Sequence, residues 1–427
     1  MKFVKNFYHR VKSEKFFKSG SILFFSTSIG NLAAYFYQFA MSRLMRPEDF
    51  GTLNSLLSLF AIETVPVTVI GMVIIKYVSG FYARQEMGKL KLFLVNSFRN
   101  LSLLGFFLAM LVFMTRSYVA HFLKLNTVTP LWILALMISV SFVIPVGGAL
   151  LQGLQLFGRF GGAMISTGLL RLALGVFLVW LGWGVNGGLW ANFLASFALA
   201  IFFYQPLRKI LEASFTKKIE KHTREILLFS LPVTLALLGS SGLINLDLIL
   251  VKHFFSPSLA GQYAAAVILG RSIFYFPGAL SMAMYPMINE AEALQKDSFH
   301  ILKKCLIWTA FLSGSGLVLF MIVPDFLIKT LFGAQYTEAS HLLPLYALAM
   351  LPLALSNIFI QFNLALRKYG FIYTIFGACV LEWGLMALFH QSLDEVLIIL
   401  NVVEWALVMT LFVMGFRKRG VQNLLEI

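Results

Sequence analysis

The chain has 427 residues, 59% hydrophobic and 12% charged, with 34 Lys and Arg against 19 Asp and Glu. Soluble domains run about 45–50% apolar and about 25% charged, so this composition excludes an ordinary soluble protein and describes a polytopic membrane protein. The net charge of +15 invites a nucleic-acid reading, but the basic residues fall on one side of a membrane, and no nucleic-acid partner is expected.

A bilayer core of roughly 30 Å is crossed by about 20 apolar residues in a helix. Such stretches fall near 20–42, 53–79, 92–114, 130–152, 161–183 and 187–205. A second set falls near 226–251, 262–288, 303–323, 340–366, 371–390 and 395–416. The fold class is therefore all-α and polytopic, with about twelve transmembrane helices in two six-helix lobes. The division predicted is a cytoplasmic amphipathic segment 1–19, an N-lobe 20–205, a cytoplasmic linker 206–225, a C-lobe 226–416 and a cytoplasmic tail 417–427. In the first segment Phe3, Phe7, Tyr8 and Val11 recur at helical spacing among Lys2, Lys5, Lys12 and Lys15. That pattern suits either a helix lying on the anionic inner leaflet or a stop that fixes topology. The apolar stretch after it is too long for a cleaved signal peptide.

Orientation follows from the basic residues between spans. One side holds 25 Lys and Arg, in 1–19, 80–99, 206–225, 289–304, 367–368 and 417–419 and at Arg159. The other holds six: Arg43, Arg46, Arg116, Lys124, Lys252 and Lys329. Lys76, Arg171 and Arg271 lie within spans. Both termini are thus predicted to be cytoplasmic, in a cytoplasmic (inner) membrane.

The second half repeats the first. Ile22-Leu-Phe-Phe-Ser26 recurs as Ile226-Leu-Leu-Phe-Ser230, an offset of 204 residues. The corner Pro47-Glu-Asp-Phe-Gly51 recurs as Pro257-Ser-Leu-Ala-Gly261, and Val65-Pro66 lines up with Phe276-Pro277. A duplicated six-helix membrane unit is the construction of two-lobed transporters, in which paired helix breaks lie near the substrate path. Pro232, Pro286 and Pro352 add further breaks.

Little points to enzymatic chemistry. Cys305 and Cys379 lie in or beside spans, and the seven histidines lack zinc-ligand spacing, so no disulfide, metal or cofactor is expected. The longest loop, about 206–225, is too short for a soluble domain, and no Walker A, nucleophile elbow or D-x-D is present. Gly182-Trp-Gly184-Val-Asn-Gly187 matches G-x-G-x-x-G, but it joins two membrane helices rather than a strand and a helix.

The informative residues are ionisable groups inside spans, each costing roughly 2.5–3.5 kcal/mol at mid-depth on insertion scales. Arg171 and Arg271 each lie near the middle of a span. Facing a common cavity they would bind a phosphate or pyrophosphate bidentately; the alternative is a buried ion pair with an acidic neighbour. Lys76, near the cytoplasmic end of span two, is a candidate for the inner vestibule. Glu63, Glu382 and Glu404 sit mid-span and are either coupling sites for a proton or cation or structural partners of the arginines. Asp247 corresponds to Arg43 by the repeat offset, which offers an outer gate closed by an Arg43–Asp247 contact; both are otherwise interfacial charges.

The stretch Asp247-Leu-Ile-Leu-Val-Lys-His-Phe-Phe-Ser-Pro-Ser-Leu-Ala-Gly-Gln-Tyr-Ala-Ala-Ala266 resembles helices seven and eight of polysaccharide biosynthesis proteins. Leu269-Gly-Arg-Ser-Ile-Phe-Tyr-Phe-Pro-Gly-Ala-Leu280, Tyr285-Pro286, Leu331-Phe-Gly-Ala-Gln-Tyr336 and Arg46-Pro-Glu-Asp-Phe-Gly51 extend the likeness. These are the O-antigen and exopolysaccharide flippases of the multidrug/oligosaccharidyl-lipid/polysaccharide exporter superfamily. The resemblance implies two lobes of six helices around a cavity open alternately to each side. It implies a transporter, not an enzyme, that flips polyprenyl-diphosphate-linked oligosaccharide, the diphosphate docking on cavity arginines. Lipid II flippases of the same superfamily usually have fourteen spans, which counts against that subgroup. The expected partners are the lipid-linked oligosaccharide, membrane lipids, and a polysaccharide polymerase or other glycan-assembly proteins; the chain is expected to be a monomer. The alternative is a cation-coupled multidrug exporter, against which the arginines argue and which Glu63, Glu382 and Glu404 keep open.

Overall fold

The computed structural model describes the backbone of residues 2–211, 223–278, 298–366 and 368–425, with isolated positions between 279 and 297. Side chains are described for most residues from 22 to 208 and from 230 to 414. The predicted linker's 212–222 and Pro286 lie outside the described residues, as do the side chains of the amphipathic segment.

The described chain is helical throughout. The first half comprises α1 (Lys2–Leu44), α2 (Pro47–Glu63), α3 (Val65–Ala83), α4 (Met87–Phe122), α5 (Thr129–Ser141), α6 (Ile144–Gly153), α7 (Phe157–Leu178) and α8 (Gly184–Leu211). The second comprises α9 (Thr223–Phe254), α10 (Pro257–Gly270), α11 (Ser272–Tyr275), α12 (Phe299–Ile322), α13 (Pro324–Leu331), α14 (Thr337–Ala365), α15 (Phe371–Leu388) and α16 (Leu393–Leu425). Among the described residues nine segments are long and apolar enough to cross a membrane. One of them, Phe157–Arg208, contains both α7 and α8, and α1 and the α10–α11 stretch bring the crossings to the twelve of the fold class. The exposed surface is apolar, as lipid contact requires. On α4, for example, Leu103, Phe106, Phe107, Met110, Met114 and Tyr118 form an exposed stripe at helical spacing.

The chain divides into two compact units: Met1–Met45 with Pro66–Ser230, and Arg46–Val65 with Leu231–Ile427. The division near Ser230 follows the repeat, but residues 46–65, which carry α2, group with the second unit.

In the first unit α1 lies along α7 through small residues. A Cβ on Gly161 would stand 2.2 Å from Ser26 Oγ, one on Gly168 3.0 Å from Ala33 Cβ, and one on Gly175 2.6 Å from the Tyr37 ring. Glycines seven residues apart keep one face of α7 bare, which lets the backbones approach where no hydrophobic effect draws helices together. The turn between α7 and α8 needs glycine for a different reason: Gly182 has φ 87° and Gly184 φ 48°. Trp180 and Trp183 beside it are exposed, as tryptophans at a membrane interface are. In the second unit α14 is central, packing against α10, α12, α13 and α16, and is therefore buried nearly all round.

Three spans that read as continuous are broken. Span two is split at Thr64, next to the predicted Pro66 break, and extends back to Pro47. Span four is split at Phe142–Val143, with Pro145 in the first turn of α6. Span eight is split at Arg271, six residues before Pro277. Apolar content measures burial in lipid and does not register a local break. The repeated corner folds alike in both copies. Arg46 (φ −69°, ψ 155°) and Ser256 (φ −67°, ψ 152°) are extended, and Pro47 and Pro257 open the helices that follow. Proline suits that position because it lacks an N–H that the first turn would leave unbonded.

Candidate functional site

In the second unit the break after Gly270 brings Arg271 against the middle of α9. Its Nη2 donates to Asp247 Oδ1 at 3.3 Å and to the carbonyl of Ile244, and its Nε donates to the Tyr346 hydroxyl at 3.3 Å. Tyr263 donates to the other carboxylate oxygen, Oδ2, at 3.0 Å. Asp247, Tyr263 and Tyr346 are fully buried, and the Arg271 side chain is 12% exposed. A Cβ on Gly270 would stand 2.5 Å from the Tyr346 ring, so a bare residue there lets the ring reach the guanidinium.

Two further carboxyls approach this pair. Glu382 on α15 and Glu404 on α16 are 2% and 0% exposed, and their fields act on each other and on Asp247. The carboxyls of Glu382 and Glu404 interact with each other, and among the described residues no other group hydrogen-bonds Glu382 Oε2 or either oxygen of Glu404. Asp247 is thus answered by Arg271, while Glu382 and Glu404 are buried beside each other in a dry interior, where an uncompensated ion is costly. Among the described residues no group of three or more His, Cys, Asp or Glu side chains is placed to hold a metal ion, so what the two glutamates can take up is protons.

In the first unit Arg171 projects from α7 over the ring of Tyr37 on α1, with Cζ 5.5 Å from the centroid. Tyr37 is fixed from behind: its hydroxyl donates to the Gly188 carbonyl at 2.9 Å and accepts from Asn192 Nδ2 at 3.0 Å. Tyr37 is the one ionisable group whose field acts on Arg171 among the described residues. Arg171 Nε is buried without a hydrogen-bond partner. Arg171 is thus an intramembrane cation held by a ring and free to take an anion.

The remaining residues read from the sequence are dispersed. Lys76 is exposed on α3. Glu63 ends α2, half-buried, and its two buried carboxylate oxygens have no hydrogen-bond partner. Arg43 is exposed in the last turn of α1. Asp247, by contrast, is wholly interior, both oxygens being taken by Arg271 and Tyr263. Its helix continues to Phe254, and the α10 break sets a guanidinium against it. Arg271 takes the ion-pair alternative, while Arg171 does not. Tyr37, Asn192, Tyr263 and Tyr346, which hold these charges, carried no sequence signal, because aromatics and amides are plentiful in apolar spans. Outside the spans, Glu86 has its carboxyl held below the ordinary range by hydrogen bonds from Lys89 at 2.8 Å and Arg84 at 3.2 Å.

The architecture is that of two-unit helical membrane transporters. An inward-facing multidrug resistance MATE family transporter of the MOP superfamily matches with TM-score 0.76 at 13% identity, over 92% of this chain and 95% of that one. Lipid II flippase MurJ in an inward closed conformation matches with TM-score 0.72 at 14% identity, over 94% and 87%. A eukaryotic MATE transporter matches with TM-score 0.66 at 12% identity, over 94% and 96%. At such identities the likeness establishes the fold. No curated protein matches the sequence. A family model described as polysaccharide biosynthesis protein matches residues 40–341, and the chain belongs to that family.

Proposed function

We propose that the protein flips polyprenyl-diphosphate-linked oligosaccharide, an O-antigen or exopolysaccharide repeat unit, from the inner to the outer leaflet of the cytoplasmic membrane by alternating access. The observation that carries this reading is Arg171, a half-buried intramembrane arginine whose buried Nε has no hydrogen-bond partner, with a ring beneath it and no acidic partner among the described residues. A lone cation at that depth costs roughly 2.5–3.5 kcal/mol on insertion scales, and a cation–π contact returns about 0.5–2 kcal/mol. A diphosphate supplies the rest through charge-assisted, bidentate hydrogen bonds. The sugars cross in water while the prenyl chain stays in lipid. Membership of the polysaccharide biosynthesis family supports a glycan substrate. Lys76, near the end of α3 expected on the cytoplasmic side, serves as a first contact for the headgroup. The chain is a carrier rather than an enzyme, with both termini cytoplasmic, and acts as a monomer alongside a polysaccharide polymerase.

The buried carboxyls Asp247, Glu382 and Glu404 support a second element, coupling of the cycle to a proton or cation gradient. Glu63 is a further coupling candidate. They also sustain the alternative reading, a cation-coupled multidrug exporter. Deleting the gene and measuring diphosphate-linked oligosaccharide by leaflet separates the two. Accumulation on the cytoplasmic leaflet with loss of surface glycan supports the flippase. Unchanged glycan intermediates, with altered drug sensitivity, support the exporter.

A further inference from the structure

A buried polar atom without a hydrogen bond is costly inside a membrane, because no water is there to satisfy it. In the first unit three such side-chain atoms occur among the described residues: Gln38 Oε1, Arg171 Nε and Asn186 Oδ1. Their polar neighbours are satisfied within their own helices. Thr27 donates to Leu23 O, Ser42 to Phe39 O, Thr167 to Ala163 O and Asn192 to Gly188 O. Asn186 lies two residues from Gly188, roughly 200° round α8, and so faces away from Tyr37. Gln38 and Arg171 remain.

Helix geometry turns these two toward one place. α1 and α7 run in the same direction, since Ser26, Ala33 and Tyr37 meet Gly161, Gly168 and Gly175 in that order. Each residue turns a helix by about 100°, so Gln38 lies about 100° past Tyr37 on α1, and Arg171 lies about 50° short of the glycine face on α7. In two parallel helices, a forward turn on one and a backward turn on the other lead to the same flank. Tyr37 sets the depth: its ring lies against Gly175 and 5.5 Å from Arg171 Cζ, and Gln38 is the next residue. The Tyr37 hydroxyl is occupied by Gly188 and Asn192, so it offers this flank a ring and no hydrogen bond. The flank therefore carries a cationic donor, a ring and a carbonyl acceptor. A donor and an acceptor that share a flank and leave each other unpaired are spaced for a group between them. Both residues are half-buried and their side chains are flexible, so a small rotation brings Nε and Oε1 to a ligand.

We infer that Gln38 is a specificity-determining residue of the Arg171 site: Arg171 takes a phosphate oxygen, and Gln38 Oε1 accepts from an O–H or N–H on the group esterified to that phosphate. A sugar joined through its anomeric carbon carries such a donor, a hydroxyl or acetamido group, on the adjacent carbon. A prenyl diphosphate without a sugar has the anion and lacks this donor, so the site distinguishes a loaded carrier lipid from an empty one. A site built to pair a hydrogen-bonding group discriminates against a ligand that leaves its own polar atom unpaired. The inference rests on the reading of Arg171 as the diphosphate site and adds what that site demands beyond charge.

Two synthetic probes of equal charge test it: farnesyl diphosphate esterified to the anomeric carbon of glucose, and farnesyl diphosphate esterified to methanol. Only the first carries a donor beside the phosphate. Binding to the purified full-length protein in detergent is measured by isothermal titration for the wild type, Gln38→Leu and Arg171→Gln. The wild type should bind the glucosyl probe about tenfold tighter than the methyl probe, the worth of one hydrogen bond. Gln38→Leu should erase that preference by weakening the glucosyl probe alone, and Arg171→Gln should weaken both. No preference in the wild type, a preference that survives in Gln38→Leu, or equal weakening of both probes by Gln38→Leu would overturn the inference. Arg171→Gln binding both probes like the wild type would instead sink the diphosphate-site reading, and the role of Gln38 with it. Thermal unfolding without probe gives a second readout. Leucine is close to glutamine in size and removes an unpaired acceptor from the span, so Gln38→Leu should unfold at a higher temperature than the wild type. A lower midpoint would show that Gln38 serves the fold and would also overturn the assignment.

Discussion

Replacing Asp247 by Asn, alone and with Arg271→Gln, tests the buried cluster most directly. At 3.3 Å the pair's gross attraction is about 5 kcal/mol for an effective dielectric of about 20. Much of that is offset by desolvation, so the pair's net worth is small, but removing one member leaves a charge stranded. With Arg271 only 12% exposed, Asp247→Asn is expected to lose about 3–5 kcal/mol of stability. That corresponds to about two to four orders of magnitude in the folding equilibrium. The double variant removes both charges and should recover at least about half of the loss. Urea unfolding of purified protein in detergent, in a double-mutant cycle, reads both numbers. The same variants separate roles: if Arg271 is structural, the double variant regains export with its stability. An Asp247→Asn protein as stable as the wild type, or a double variant no better than the singles, would refute the assignment of Arg271 to Asp247.

Arg171→Gln should abolish glycan export at unchanged membrane abundance, while Arg171→Lys keeps the charge but loses the fork and should weaken substrate binding about tenfold or more; wild-type export in Arg171→Gln would remove the basis of the site. Glu404→Gln and Glu382→Gln should stop export without lowering the unfolding midpoint, since each removes a carboxylate and keeps the shape; normal export in both would return these residues to a packing role. Gly175→Ala, whose Cβ meets the Tyr37 ring at 2.6 Å, should cost about 1–3 kcal/mol and displace the ring beneath Arg171. Gly162→Ala, with nothing within 4 Å, should instead stabilise by about 0.5–1 kcal/mol, so equal unfolding midpoints for the two would contradict the α1–α7 packing.

Some of this protein could be read from residues alone. The number of spans is a matter of apolar length against bilayer thickness, a sum over local composition, and α4, α12 and α15 fall where the apolar stretches do. The repeated corner was legible because proline and glycine act locally: Pro47 and Pro257 each open a helix after an extended residue, whatever packs around them. The rarity of charge in apolar stretches also picked out Arg171, Arg271, Glu382 and Glu404. What each charge does was decided by folding, since an ion's partner in a dry interior is set by distance rather than by spacing along the chain. Arg271 and Asp247 are 24 residues apart and meet because a helix breaks at Arg271. Arg171 meets Tyr37, and no acid among the described residues, because a row of glycines brings α7 onto α1. The grouping of α2 with the second unit was equally out of reach, because Gly51 and Gly261 read as two corners and become one contact only in three dimensions.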